Sequence, residues 1–144
     1  MIACDTNLLV YAARDDNAWH AAALALTRQL ATGNEAWGLP WPCIHEFLAV
    51  VTSPRVFKLP TPMPVALATV ARWRESPSAQ RLCETAGYEA ELEKVLAESR
   101  AIGPLVHDAH IVALCHLHGV REFWTADRDF SRFPSLRCRN PLVG

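Results

Sequence analysis

The chain has 144 residues, 51% of them apolar and 20% charged, with 14 basic and 15 acidic side chains and a formal net charge of −1. That length favours one domain over residues 1–144 and buries roughly 68–70% of the unfolded surface, enough for a core without disulfide staples, and the globular composition argues against disorder. The near-neutral balance excludes nucleic-acid binding by bulk positive charge alone, and no apolar run reaches the ~18 residues that would span a bilayer.

The start, Met1-Ile2-Ala3-Cys4-Asp5, lacks a basic, apolar leader pattern, so secretion is not expected. Five cysteines at 4, 43, 83, 115 and 138 form no C-x-x-C pair. They fit a reduced, cytoplasmic compartment with structural thiols.

In chain order, Ile2–Cys4 reads as a buried strand ending at Asp5, and residues 7–13 begin a helix. Residues 18–32 are rich in Ala and Leu and predict a helix stopped by Gly33. Residues 35–39 read as a second strand. Pro42 then opens a helix through Thr52, with Phe47, Val50 and Val51 on one face. Pro54, Pro60, Pro62 and Pro64 mark a loop, followed by helices over 65–75 and 88–101 with a short strand at Ala79–Cys83 between them. Gly103-Pro104 starts a helix running to about His118 and closed by Gly119. Residues 122–126 and Leu136–Cys138 read as further strands. Strands alternating with helices predict a three-layer α/β/α sandwich around a central, mostly parallel sheet.

Ligands bind such sheets at the carboxyl ends of the strands. Asp5 follows the first strand and Asp127 follows the 122–126 strand, so neighbouring strands would bring the two together. Asp108 shares a helix face with Ile111, Val112 and Cys115, where an unpaired carboxylate is costly without a cation. The alternative for Asp108 is an acid in the first turns of a helix, facing solvent and favoured by the dipole. Glu46 lies beside the apolar stripe of its helix and, taken alone, is an ordinary boundary glutamate. Carboxylates that converge stay ionised only around hard cations, and oxygen ligands suit Mg²⁺ or Mn²⁺. Such centres serve phosphodiester hydrolysis. Without these four acids the chain holds 14 basic against 11 acidic residues, and Arg121, Arg128, Arg132, Arg137 and Arg139 gather in its last quarter.

The segments Ile2-Ala3-Cys4-Asp5-Thr6-Asn7-Leu8-Leu9-Val10-Tyr11-Ala12, Ile44-His45-Glu46-Phe47, His107-Asp108-Ala109-His110-Ile111-Val112-Ala113 and Thr125-Ala126-Asp127-Arg128-Asp129-Phe130 together resemble the PIN-domain ribonucleases, and more narrowly the VapC toxins of toxin–antitoxin pairs. The likeness covers essentially the whole chain, with all four segments in order. Residues 54–100 match only in helix pattern and length. The resemblance implies that Asp5, Asp108 and Asp127 bind Mg²⁺ or Mn²⁺ and that Glu46 acts directly or through a metal-bound water. It implies that Asn7 and Thr125 orient carboxylates by hydrogen bonds. Asp129 is left between a metal ligand, a helix cap and a partner for Arg128 or Arg132. The implied function is a metal-dependent endoribonuclease toxin cutting tRNA or rRNA and so inhibiting translation. A homodimer, a VapB-like antitoxin and an RNA substrate are its implied partners, with no membrane. Rival readings are a 5′-nuclease or phosphatase acting on other phosphate esters, and a binding module whose acids are structural.

Other signals are weaker. His107, His110, His116 and His118 crowd one helix, which allows a zinc site, but no H-E-x-x-H or cysteine pair completes it. Cys4 and Cys115 fall on predicted buried faces and read as core residues. Among five tryptophans, Trp41 sits in a Pro-Trp-Pro turn where it could stack on a base or anchor a partner.

Overall fold

The computed structural model describes residues 1–144. Five strands, β1 (Ile2–Cys4), β2 (Trp37–Pro40), β3 (Ala79–Leu82), β4 (Glu122–Trp124) and β5 (Cys138–Arg139), form one sheet in the order β3-β2-β1-β4-β5. Every pairing is parallel. The strand order reverses at β1, which places the first strand in the middle of the sheet with β2 and β4 on either side.

Six helices cover the sheet: α1 (Thr6–Ala13), α2 (His20–Thr32), α3 (Trp41–Val51), α4 (Met63–Glu75), α5 (Tyr88–Ser99) and α6 (Leu105–Leu117). Strand alternation divides the core in two. Ala3, Leu82 and Phe123 point to the face packed by α5 and α6, with Val95, Val112 and Cys115. Cys4, Trp37, Leu39 and Trp124 point to the opposite face, against Leu8, Leu9, Ile44, Phe47 and Val70 of α1, α3 and α4. No helix is long and apolar enough to cross a membrane.

The observed elements follow the predicted ones with shifts at their ends. The α2 helix starts at His20, two residues later than its pattern suggests, and Gly33 caps it in an extended conformation. Pro42 and Pro64 both lie in the first turn of their helices, where no backbone N–H is needed. The α5 helix stops at Ser99 because Arg100 turns left-handed at φ 55° and donates its N–H to the Leu96 carbonyl. Gly119, at φ +72°, closes α6. The β4 strand ends at Trp124, not residue 126, because the Thr125 hydroxyl takes the Asp127 N–H and turns the chain. The last strand is displaced to Cys138–Arg139. A 3-10 turn at Arg128–Arg132, capped by Asp127, had no clear sequence signal.

Gly38 sits where β2 passes closest to its neighbours. A Cβ there would stand 2.8 Å from Leu82 Cδ1 and 3.2 Å from Ala3 Cβ. Leu82 is fully buried and has nowhere to move. Gly38→Val is therefore expected to cost about 1–3 kcal/mol by overpacking, lowering the melting temperature by roughly 3–10 °C in a thermal scan.

Candidate active site

The C-terminal edge of the sheet gathers the acids. Asp5 leaves β1 and caps α1, its Oδ1 accepting the Thr6 N–H at 2.8 Å. Its Oδ2 accepts the Thr125 hydroxyl at 2.5 Å, from the end of the neighbouring β4. The Cys43 thiol, on α3, lies 3.6 Å from Oδ1. Asp5 is thus fixed from three elements and only 5% exposed. Burial, with a smaller contribution from Glu46, outweighs these hydrogen bonds and pushes its carboxyl up to about 6.

Asp108, in the first turn of α6, is half-buried and accepts no hydrogen bond from protein, whereas Ile111, Val112 and Cys115 on its face are buried. Burial and the neighbouring Asp127, Asp5, Asp129 and Glu46 carboxylates push it up to about 6. Asp127 caps the 3-10 turn by accepting the Asp129 N–H at 2.9 Å. Glu46 is exposed on α3, and its Oε2 accepts the Thr6 hydroxyl at 3.0 Å. Asp5, Glu46, Asp108 and Asp127 all line one cavity of about 310 Å³, whose other walls include Val10, Tyr11, Phe57, Ile111 and Phe130. No Lys or Arg lines it.

The donor set fits a hard divalent cation. Four carboxylates face one cavity without a basic side chain, and two of them, Asp5 and Asp108, are held above the ordinary carboxylate range by burial and by neighbouring carboxylates. The arrangement is open: no three His, Cys, Asp or Glu groups are drawn into a ready-made metal cluster. A cation would have to draw the side chains together.

Thr125 does more than one job. Its hydroxyl donates to Asp5 and accepts the Asp127 N–H at 2.9 Å, so one side chain couples two acids. Asn7 differs from expectation. Its amide oxygen accepts the Ala126 N–H at 3.3 Å, fixing the loop that carries Asp127 instead of a carboxylate. Asp129 contributes its N–H to the Asp127 cap; its carboxylate forms no ion pair with Arg128 or Arg132 and does not line the cavity.

Thr6 and Cys43 were missed in the sequence. A hydroxyl immediately after the strand-ending Asp5 was the available signal for Thr6; nothing local marks Cys43. The four histidines do not gather: His110 meets Glu84, His116 meets Glu91, and His118 meets the Cys83 carbonyl. Cys4 and Cys115 are buried in the core, and burial pushes the Cys4 thiol up to about 12. Three arginines of the C-terminal group are tied to acids, Arg121 to Glu35 and Arg137 and Arg139 to the buried Glu122.

Thr125→Val keeps the shape of the side chain and removes the shared hydroxyl. It is expected to lower the activity of the site by about 10–100-fold and, because Thr125 is buried and both its hydrogen bonds are lost, to cost about 1–3 kcal/mol of stability, whereas Thr125→Ser retains most of both. Steady-state rates and thermal scans on the same preparations check this.

A family profile for the PIN domain matches residues 2–136. Ribonuclease VapC43 of Mycobacterium tuberculosis is 36% identical over 144 residues, covering 100% of this chain and 97% of the relative. Ribonuclease VapC48 of the same organism is 31% identical over 140 residues, covering 97% of each. Among solved structures, that of Mycobacterium tuberculosis VapC20, described as a sarcin-ricin loop cleaving toxin, has a TM-score of 0.66 at 21% identity and covers 95% of this chain and 99% of that one. That of VapBC2 from Rickettsia felis, bound to a DNA fragment from its promoter, has a TM-score of 0.65 at 17% identity, covering 96% of this chain and 98% of that one. At these identities the structures establish likeness of fold. The chain belongs to the PIN-domain family, among its VapC ribonucleases.

Proposed function

We propose that this member of the VapC branch is the toxin of a toxin–antitoxin pair, a divalent-metal-dependent endoribonuclease that inhibits translation by cutting tRNA or rRNA. The observation that carries the proposal is the convergence of Asp5, Glu46, Asp108 and Asp127, from four separate segments, on one cavity free of basic side chains.

Asp5, Asp108 and Asp127 would hold Mg²⁺ or Mn²⁺, which when bound lowers the pKa of water and neutralises charge on the scissile phosphate. Thr125 and the Thr6 N–H keep the Asp5 carboxylate aimed into the cavity. Thr6 holds Glu46 at the rim, where its free oxygen can accept the proton from the attacking water. The water oxygen bonds to phosphorus, one P–O ester bond breaks, and the departing oxygen gains a proton. The apolar walls limit water on one side of the site.

A VapB-like antitoxin and a second copy of the chain are the proposed protein partners. Val56, Leu59, Met63, Val65 and Leu67 are each exposed, and Val56 also lines the cavity, which suits a partner that covers the site. The test is cleavage of purified bacterial RNA by the isolated protein, with Mn²⁺ or Mg²⁺ added and then removed by chelator. Metal-dependent, chelator-sensitive cleavage at discrete sites supports the proposal. Cleavage unaffected by chelator contradicts it.

A further inference from the structure

The cavity that holds the acids is negative, so it cannot supply the affinity for an RNA backbone; phosphate-binding cations must lie elsewhere on the route to it. Among the arginines, Arg74 of α4 and Arg81 of β3 stand out because both are held against one aromatic ring. Their guanidinium carbons lie 5.6 Å and 5.1 Å from the centre of the Trp41 ring. Neither pairs with a carboxylate, unlike Arg14, Arg121, Arg137 and Arg139. Both are exposed, and Trp41 is half-buried. Arg128 and Arg132 are also unpaired but have no aromatic partner.

The sheet explains the grouping. Parallel pairing sets Leu39 opposite Arg81 and Pro40 opposite Leu82, so Arg81 comes alongside the end of β2, where Trp41 begins α3. This is the same C-terminal edge that carries Asp5 and Asp127. Side-chain contacts and a second cavity lie between the two places. The Trp41 ring meets His45 edge-on at 5.9 Å, and Glu84 accepts from His110 at 2.7 Å. His110, His107 and Pro42 line a second cavity, of about 330 Å³, together with Glu46 and Asp108. Glu46 and Asp108 therefore stand between this cavity and the first.

We infer that Trp41, Arg74 and Arg81 form an RNA-binding platform, on which an unpaired base stacks against the indole while the adjoining phosphates bind the two guanidinium groups, the strand then running past His107 and His110 to the acids. The inference rests on the ribonuclease reading above and adds to it a binding site for the substrate away from the acids. A base must be out of its helix to stack on an indole, so the platform selects single-stranded or looped RNA over duplex.

Wild type, the double variant Arg74→Ala/Arg81→Ala, Trp41→Phe and Trp41→Leu are compared in two ways. Binding of a short fluorescein-labelled single-stranded oligoribonucleotide is read by anisotropy across a salt series, with Ca²⁺ present. Steady-state cleavage of bacterial RNA gives KM and kcat. The double variant is expected to raise Kd and KM by roughly 10-fold or more and to lower the slope of log Kd against log salt by about 0.7 for each phosphate no longer neutralised. Trp41→Leu is expected to weaken binding roughly 5- to 100-fold, with Trp41→Phe retaining most of it because the ring remains. In each case the loss falls on KM more than on kcat. Because Arg74 and Arg81 are exposed, the double variant tests the platform even if Trp41→Leu misfolds. If wild type cleaves RNA and the double variant matches it in KM and salt slope, the platform is overturned while the ribonuclease reading stands. A double variant that keeps RNA affinity but loses a protein partner reassigns the cluster and also overturns it. Wild type that cleaves no RNA overturns both.

Discussion

Asp108→Asn is expected to reduce RNA cleavage by roughly 10²- to 10⁴-fold, the range for loss of a positioned charge or proton-transfer group, while raising the melting temperature of the metal-free protein at neutral pH. The two effects have one cause. Asp108 lies near Asp127, Asp5, Asp129 and Glu46 and has no hydrogen-bond donor of its own, so its carboxyl is pushed up to about 6. The α6 dipole favours a negative charge in this first turn, but burial and four like charges outweigh it. Removing the charge relieves that repulsion in the metal-free fold and removes a proposed ligand of the cation. A structural carboxylate behaves in the opposite way: its loss lowers stability and leaves activity alone. Melting curves and initial rates on one preparation of each protein distinguish the two. Lower stability with intact cleavage would place Asp108 outside the site.

Metal-free protein is expected to lose stability as pH rises from about 4 to about 7, through Asp5. In the unfolded chain Asp5 ionises near 3.8, but in the fold only near 6, because burial opposes the charge. Between those values the folded state holds the proton that the unfolded state has released, so stability falls with rising pH and levels off above about 6. The shift corresponds to roughly 3 kcal/mol, an order-of-magnitude figure. Asp108 acts in the same direction, reduced by its exposure to solvent. Glu84 is lowered by its own backbone N–H and then by His110, and Asp16 by its hydrogen bond to Arg14; both act the opposite way at lower pH, but both are surface groups. Urea denaturation of wild type and Asp5→Asn across this range isolates the effect. The wild type should show the decline, the variant should show less of it, and saturating Mn²⁺ should restore wild-type stability at neutral pH, by about 2.7 kcal/mol at a hundredfold excess over Kd. A wild type that gains stability over the same range, relative to Asp5→Asn, would contradict the charge assignment of the cavity.

Much of the architecture was legible in local pattern. Ile2–Cys4 ends at an acid, and Pro42, Pro64 and Gly119 mark helix ends through backbone constraints that do not depend on distant residues. Asp5 and Asp127 could be placed on one sheet edge because a parallel sheet puts the residues after its strands on the same side. What escaped the sequence depends on contacts across the fold. Thr6 reaches Glu46 over 40 positions and Thr125 reaches Asp5 over 120. Asn7 was expected on a carboxylate, but the turn after β4 brings the Ala126 N–H to it first. The Trp41 cluster was invisible for the same reason, since Arg81 arrives through strand pairing and Arg74 through the packing of α4. Arginine composition alone could not show that three of the five arginines in the last quarter pair with Glu35 and Glu122.

Whether the four acids form one metal-dependent RNA-cutting site is decided by mapping new 5′ ends in total RNA after induced expression of wild type and Asp5→Asn in a bacterial host. Asn retains a side-chain oxygen that can cap α1, so the variant should fold, and equal amounts of folded protein are confirmed before comparison. Wild type is expected to give growth arrest and new 5′ ends at discrete tRNA or rRNA positions, and Asp5→Asn neither. Identical new ends from both proteins, or none from a folded wild type that binds Mn²⁺, would refute that assignment.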